Sequence, residues 1–255
     1  MNVLGLDTAS AATAVGLRLS RGAQLEARDD PAAGARPGHT SVLLPLAAEL
    51  LERGGISWSE LDAIAVGLGP GTFTGLRVGV ATARALAQSL EIEAIGVRSL
   101  EALALPALRS TARDAAFVLT VLDGRRGEAF LGAYGLADVQ DMLAPAELLA
   151  PAPVKRERLA AEISALAEAT VRARDWLAVG DGAILFEREL LATGVRIADR
   201  DSPLHEIAGA AVCELACSVT CASERAKLLP LYGRRPDAET TRERAHAGAL
   251  EGAGG

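Results

Sequence analysis

The stretch Gly69-Pro70-Gly71-Thr72-Phe73-Thr74-Gly75-Leu76-Arg77-Val78-Gly79 constrains this chain more than any other. It follows a short apolar run, Ala63 to Leu68, of the length and composition of a buried strand, and it opens into an Ala-rich segment that reads as a helix to Leu90. A strand-to-helix turn is therefore expected. Pro70 fixes one backbone angle, Gly69 and Gly71 allow conformations that a side chain forbids, and Thr72 or Thr74 is the expected cap of the helix. Such a turn can hold an anion at a helix N-terminus. It is not a P-loop, because it lacks the lysine of G-x-x-x-x-G-K-[ST]. Beyond it, Gly75, Gly79, Ala83 and Ala87 recur every fourth residue and line one stripe along which another backbone can approach closely. Leu76, Val80 and Leu86 fall on other faces, so the helix is expected to be buried on two sides, within one chain or between two.

Composition narrows the function classes. A chain of 255 residues has room for one large or two small domains, and with 3% aromatic residues its core must be built from Ala, Leu and Val. A net charge of −7 argues against a strong free-standing affinity for nucleic acid. No stretch reads as a signal peptide or as a membrane span, and a cytoplasmic protein is expected. Cys213, Cys217 and Cys221 share one predicted helix, Leu204 to Glu224. Eight residues of helix separate the outer pair by about 12 Å, whereas thiolates on one zinc lie within about 4.6 Å of each other. One ion cannot hold all three, and they are expected as small buried apolar residues.

Along the chain, Val3 to Thr8 and Ala12 to Leu19 read as a hairpin with Asp7, Thr8 and Ser10 at its tip, and Ala23 to Arg28 completes a meander. An acidic residue at the tip of the first strand resembles the opening of the actin-like phosphotransferase fold. A second helix, His39 to Gly54, has Thr40 or Ser41 as expected N-cap, Pro45 near its first turn and Gly54-Gly55 as its stop. Its leucines wrap around more than one face, which suggests a dimerisation surface shared with the Gly75–Leu90 helix. Ile92 to Val97 reads as a strand, followed by a helix capped by Ser99. Phe117 to Asp123, a turn at Gly124-Arg125-Arg126-Gly127 and Glu128 to Tyr134 then repeat the pattern of strand, acidic tip and strand. Residues 138–153 read as loop with a short helical turn, and Lys155 to Arg172 as an exposed helix. Leu177 to Val179 leads through Gly180-Asp181-Gly182 into a helix ending at Leu191. The polar, then Ala/Gly-rich end of the chain is expected to be disordered.

Several of these stretches together resemble the TsaB (YeaZ) family of bacterial tRNA threonylcarbamoyladenosine synthesis. They are Leu4-Gly5-Leu6-Asp7-Thr8-Ala9-Ser10, His39-Thr40-Ser41-Val42-Leu43-Leu44-Pro45, Gly69 to Gly79, Ser99-Leu100-Glu101-Ala102-Leu103, Asp123 to Glu128, and Pro230-Leu231-Tyr232 with Arg234. The chain departs from the family pattern at Thr72, Gly124 and Gly233, where Ser, Ala and Leu are usual.

The resemblance implies an α/β chain with the actin-like fold and two related βββαβα-type domains. Residues 1–100 would form the first and 101–233 the second, whose last helix could pack back on the first, with a disordered tail expected over 234–255. It also implies a non-catalytic subunit that pairs with the catalytic paralogue TsaD and the ATPase TsaE, for threonylcarbamoylation of the adenosine next to the anticodon in ANN-decoding tRNAs. Alone, the subunit would be a homodimer, and it would meet tRNA only through the complex. In the paralogue a His-x-x-x-His pair holds a metal; the corresponding positions here are Ser99 and Leu103, and a leucine cannot be a ligand. Gly180-Asp181-Gly182-Ala183 resembles a degenerate second nucleotide turn with a carboxylate where phosphate would lie. No metal, cofactor or catalytic residue of its own is therefore expected. The expected partner interface is His39, Leu43, Leu46, Leu50, Gly75, Gly79, Ala83 and Leu86. Gly79→Leu, or Leu43→Arg with Leu50→Arg, is expected to break the complex while the monomer stays folded. Asp7, Thr8, Ser10, Gly69, Gly71, Thr72 and Thr74 are expected as vestigial phosphate loops.

The alternative is an active ATP-dependent transferase or kinase that uses those loops, with Asp7 or Asp123 as its base. A glycoprotease would need a metal or an activated nucleophile, and none of His39, His205 or His246 has a neighbouring ligand pattern.

Overall fold

The computed structural model describes residues 1–32, 34–111, 117–139, 142–170, 176–218 and 228–232. Its first sheet starts from three antiparallel strands, β1 (Val3–Asp7), β2 (Thr13–Arg18) and β3 (Gln24–Asp29). Helix α1 (His39–Gly54) leads to β4 (Ala63–Gly67), and α2 (Phe73–Leu90) to β5 (Glu93–Val97). The strand order is β3-β2-β1-β4-β5, with β4 parallel to both β1 and β5. β1 and β4 are buried at every position, as the apolar runs Val3 to Leu6 and Ala63 to Gly67 require of strands covered on both faces.

The second sheet repeats this plan. After α3 (Ser99–Thr111) come β6 (Phe117–Asp123), β7 (Glu128–Val139), β8 (Met142–Lys155), α4 (Arg156–Thr170), β9 (Trp176–Val179), α5 (Asp181–Leu185), α6 (Glu187–Leu191) and β10 (Arg196–Ile197). The order is β10-β9-β6-β7-β8, antiparallel from β6 to β8 and parallel from β6 to β10. The echo seen in the sequence is thus a repeat of topology. Helix α7 (Gly209–Ser218) closes the described part of the chain's helical structure.

Three apolar clusters show how the layers stack. α1 and α2 cover one face of the first sheet, with Leu43, Leu50, Val80 and Ala83 against Leu4, Leu6, Val15 and Val66. α3 and α7 fill the layer between the sheets, where Leu100, Leu103, Val212 and Cys213 meet Val3 and Ile95 on one side and Val118 and Phe130 on the other. α4 to α6 cover the far face of the second sheet through Leu159, Ile163, Phe186 and Leu190. α1 and α2 are therefore an outer layer, apolar beneath and open to solvent above.

Several expectations change. Residues 142–153 are not a loop but most of β8, an edge strand, where Pro145, Pro151 and Pro153 break no interior ladder. α1 starts at His39 after Gly38, with no side-chain cap, so Pro45 lies inside the helix, on its exposed side. The helix expected from Gly182 to Leu191 is broken at Phe186, which is buried against α4 and α6. The cysteine helix begins at Gly209 rather than Leu204, because Pro203–His205 forms a separate 3₁₀ turn. Cys213 is buried and Cys217 half-buried, while Cys221 and the expected tail over 234–255 lie outside the described residues. No helix among the described residues is long and apolar enough to cross a membrane.

Candidate functional site

The tip of β1 and the Gly-rich turn before α2 meet. Asp7 is 1% exposed; its Oδ1 accepts the Ala9 N–H at 2.8 Å and its Oδ2 accepts the Ser99 hydroxyl at 2.6 Å. The Ser99 oxygen in turn accepts the Gly69 N–H at 3.1 Å, so a hydroxyl expected to cap α3 instead ties three segments together. Burial pushes the Asp7 carboxyl above the usual carboxylate range, although its hydrogen bonds and Arg28 pull the other way. Gly67 is needed beside it: a Cβ there would sit 1.8 Å from Asp7 Oδ2.

The other loop residues are engaged in the same manner. Thr8 donates to the Gly75 carbonyl at 2.7 Å, and the Thr72 N–H donates to the Ala9 carbonyl at 2.8 Å. A Cβ on Gly71 would lie 2.4 Å from the Ala9 oxygen, one on Gly75 2.1 Å from the Thr8 oxygen, and one on Gly79 2.4 Å from Thr8 Oγ1. Gly75 and Gly79 of the small-residue stripe thus let α2 ride on the hairpin tip of its own chain, while Ala83 and Ala87 pack into the core beneath it. Asp7, Thr8, Gly69, Gly71 and Thr72 are brought together, but they satisfy one another. Thr72 is the N-cap residue of α2 by position, without a side-chain bond, and Thr74 points to solvent. His39 is 4% exposed, with Nδ1 2.8 Å from Thr13 Oγ1 and Nε2 lacking a hydrogen-bond partner among the described residues. Burial lowers its basicity.

Ser10 stands apart from that network. With Ala12 and Arg28 it lines a cleft of about 170 Å³ whose opposite wall carries Leu122, Asp181 and His205 from the second half of the chain. Known small-molecule sites run to roughly 300–1,000 Å³, so this cleft is small for a nucleotide. The second Gly turn occupies its wall: Asp181 Oδ1 accepts the Asp123 N–H at 2.9 Å, and burial, with Asp123 nearby, raises the Asp181 carboxyl. Gly180 has φ +106°, and a Cβ there would meet the Val121 oxygen at 2.1 Å. Arg28, the cation of the cleft, is held by Asp30 at 2.7 Å and Glu206 at 3.3 Å. Sequence reasoning did not select Arg28 or His205 for this site; neither lies in a motif, and only the docking of the two halves brings them together.

A family model described as TsaD, tRNA N6-adenosine threonylcarbamoyltransferase, matches residues 32–229. The chain is 34% identical over 138 residues to the Escherichia coli tRNA threonylcarbamoyladenosine biosynthesis protein TsaB, a match covering 52% of this chain and 55% of that one. This chain belongs to the TsaB (YeaZ) family. The matched region spans about half the length of the E. coli TsaB. An uncharacterized protein of Mycobacterium tuberculosis is 32% identical over 93% of both chains. The solved structure of YeaZ from Pseudomonas aeruginosa superposes with a TM-score of 0.68 at 27% identity, over 91% of this chain and 100% of that one. The fold of this TsaB-family chain is the actin-like one, two sheets of matching order on either side of a cleft.

The side chains expected at the partner interface divide in two. Leu43, Leu50, Gly75, Gly79, Ala83 and His39 are buried in the TsaB-family chain's own core. They are unavailable to a partner in this conformation. Leu46 and Leu86 are half-buried at the seam of the two helices. The residues that α1 and α2 present outward include Leu44, 47% exposed, with Pro45, Ala48, Glu49 and Glu52, and on α2 Arg77, Ala81, Arg84 and Ala85. The apolar excess was readable in the sequence, but the side that faces the sheet was not, because both helices carry leucine or small residues on more than one stripe.

Proposed function

We propose that this chain is a non-catalytic subunit that pairs, through the outward faces of α1 and α2, with a TsaD-type transferase and the ATPase TsaE in threonylcarbamoylation of the tRNA adenosine next to the anticodon. Kinship with TsaB supports the pathway. The observation that carries the non-catalytic part is the closed network of Asp7, Thr8, Ser99 and the Gly69–Gly75 turn, in which groups that would face a phosphate already bond each other. Two further positions agree with it. Leu103 is buried in the layer between the sheets, and Asp181 places a carboxylate on the cleft wall. A leucine offers no ligand atom to a metal, and a carboxylate is an unfavourable neighbour for a phosphate. Of the bases an ATP-dependent transferase would need, Asp7 is buried and Asp123 is paired with Arg125 at 3.1 Å.

The test is calorimetry of the lone chain with ATP, followed by an activity assay of the reconstituted complex with each subunit omitted in turn. The reading expects no micromolar nucleotide binding by the lone chain and loss of tRNA modification when it is left out. Turnover by the isolated chain would replace it with the transferase reading.

A further inference from the structure

Two stretches that resemble the family pattern, Gly69 to Gly79 and Pro230-Leu231-Tyr232, lie against each other. Leu231 donates its N–H to the Leu68 carbonyl at 2.7 Å, and Gly69 lacks a Cβ where one would press on the Leu231 oxygen at 2.8 Å. This docking sets Tyr232 beside α2, where its ring stands 4.6 Å from that of Phe73. Arg77 lies against this ring pair. Its guanidinium carbon lies 3.7 Å from the Phe73 centroid, and its Nε donates to the Tyr232 hydroxyl at 3.1 Å.

Arg28, Arg53, Arg109, Arg125, Arg156 and Arg158 each lie against a carboxylate of their own chain. Among the described residues, no carboxylate lies within ion-pair distance of Arg77. With its face and Nε engaged, the exposed guanidinium keeps its Nη pair clear of any carboxylate among the described residues, and that is the end that grips a carboxylate in two parallel hydrogen bonds. The rings have already removed much of the rotamer freedom that an arginine loses on binding, which favours a recognition anchor.

Arg84, also exposed, follows seven residues later on the same face, about 10.5 Å along the helix, with the small residues Ala81 and Ala85 beside it. A strip of small side chains with two cations on it suits a packed helix that carries two carboxylates at that spacing. It does not suit a phosphate backbone, which calls for denser basic charge than a chain of net charge −7 supplies here. A second copy of this chain fits poorly: its exposed α1 acids Glu49 and Glu52 are only three residues apart, and Glu49 already accepts from Arg53.

We propose that Arg77, held by Phe73 and Tyr232, is the charged anchor by which α2 recognises a carboxylate-bearing helix of a different protein, and that Tyr232 is a positioning residue for it. The proposal rests on the reading that the outer faces of α1 and α2 pair with the transferase.

The experiment titrates the full-length chain into that transferase at low and high salt. Arg77→Ala is expected to weaken the complex about tenfold, with a flatter salt dependence than the parent. Tyr232→Phe is expected to weaken it about threefold, with an unchanged melting temperature, and to have no further effect in the Arg77→Ala background. Leu44→Asp with Ala48→Asp, both exposed on α1, is the control for the surface itself. If that pair abolishes the complex while Arg77→Ala leaves affinity unchanged, the anchor is overturned and the surface stands. If all variants bind like the parent, both fall. An equal effect of Tyr232→Phe with or without Arg77 overturns the positioning role. Loss of tRNA retention by the lone chain, in place of transferase affinity, assigns the arginine to nucleic acid and overturns the proposal.

Discussion

Ser99 donates its hydroxyl proton to Asp7 across 92 residues of sequence, while its oxygen receives the Gly69 N–H. One small side chain thus locks the first strand, the Gly-rich turn and the start of α3.

Ser99→Ala should leave a buried carboxylate oxygen and a buried N–H unpartnered, costing about 1–3 kcal/mol. Urea unfolding should show the midpoint falling at constant slope. Asp7→Asn probes the carboxyl itself. The folded Asp7 holds its proton to higher pH than the unfolded chain does, so its contribution to stability is full below the unfolded value of 3.8 and is lost as pH rises through the folded value. Relative to Asp7→Asn, the parent should therefore lose stability as pH rises through that window. A parent-minus-variant difference that does not change with pH would contradict the assignment.

His39 should show the opposite slope in a different window. Its folded basicity lies below the unfolded value of 6.5, so its contribution is full above about pH 6.5 and is lost as pH falls toward the folded value. Burial is the main cause, and the nearby Asp29 charge opposes it. His39→Gln should flatten this part of the stability profile below about pH 6.5.

Gly75→Ala should be among the most damaging single-methyl additions, since the new carbon would meet the Thr8 backbone oxygen at 2.1 Å. A loss of about 1–3 kcal/mol or more is expected, with α2 pushed off the hairpin tip. Gly79→Ala meets the Thr8 hydroxyl, which can turn aside at the expense of its bond to Gly75, and should do less harm. Thermal melting of the two variants should rank them in that order.

Leu43→Arg with Leu50→Arg, first expected to spare the monomer, should unfold it, because both leucines are buried beneath α1. A charge added at Leu44 should leave the melting temperature within a few degrees of the parent. Circular dichroism melts of the two sets separate a core face from a partner face without any partner present.

The sequence by itself determined the alternation of elements, the two meanders with acidic tips, and the strand–turn–helix at Gly69. These follow from periodicity and from residues whose backbone preferences act locally. It also exposed the apolar surplus of α1 and α2. It did not reveal that residues 142–153 form an edge strand, since prolines oppose strand formation in general and only the position at the sheet's edge removes the objection. Nor could it tell which stripe of α2 is inside. Gly75 and Gly79 look the same whether they admit a partner's helix or the chain's own hairpin, and the choice is made by Thr8, 67 residues from Gly75. The fate of Asp7 was decided in the same way. A carboxylate at a strand tip is ready for phosphate chemistry until Ser99 and the Ala9 N–H arrive to occupy it, and those contacts exist only once the chain has packed.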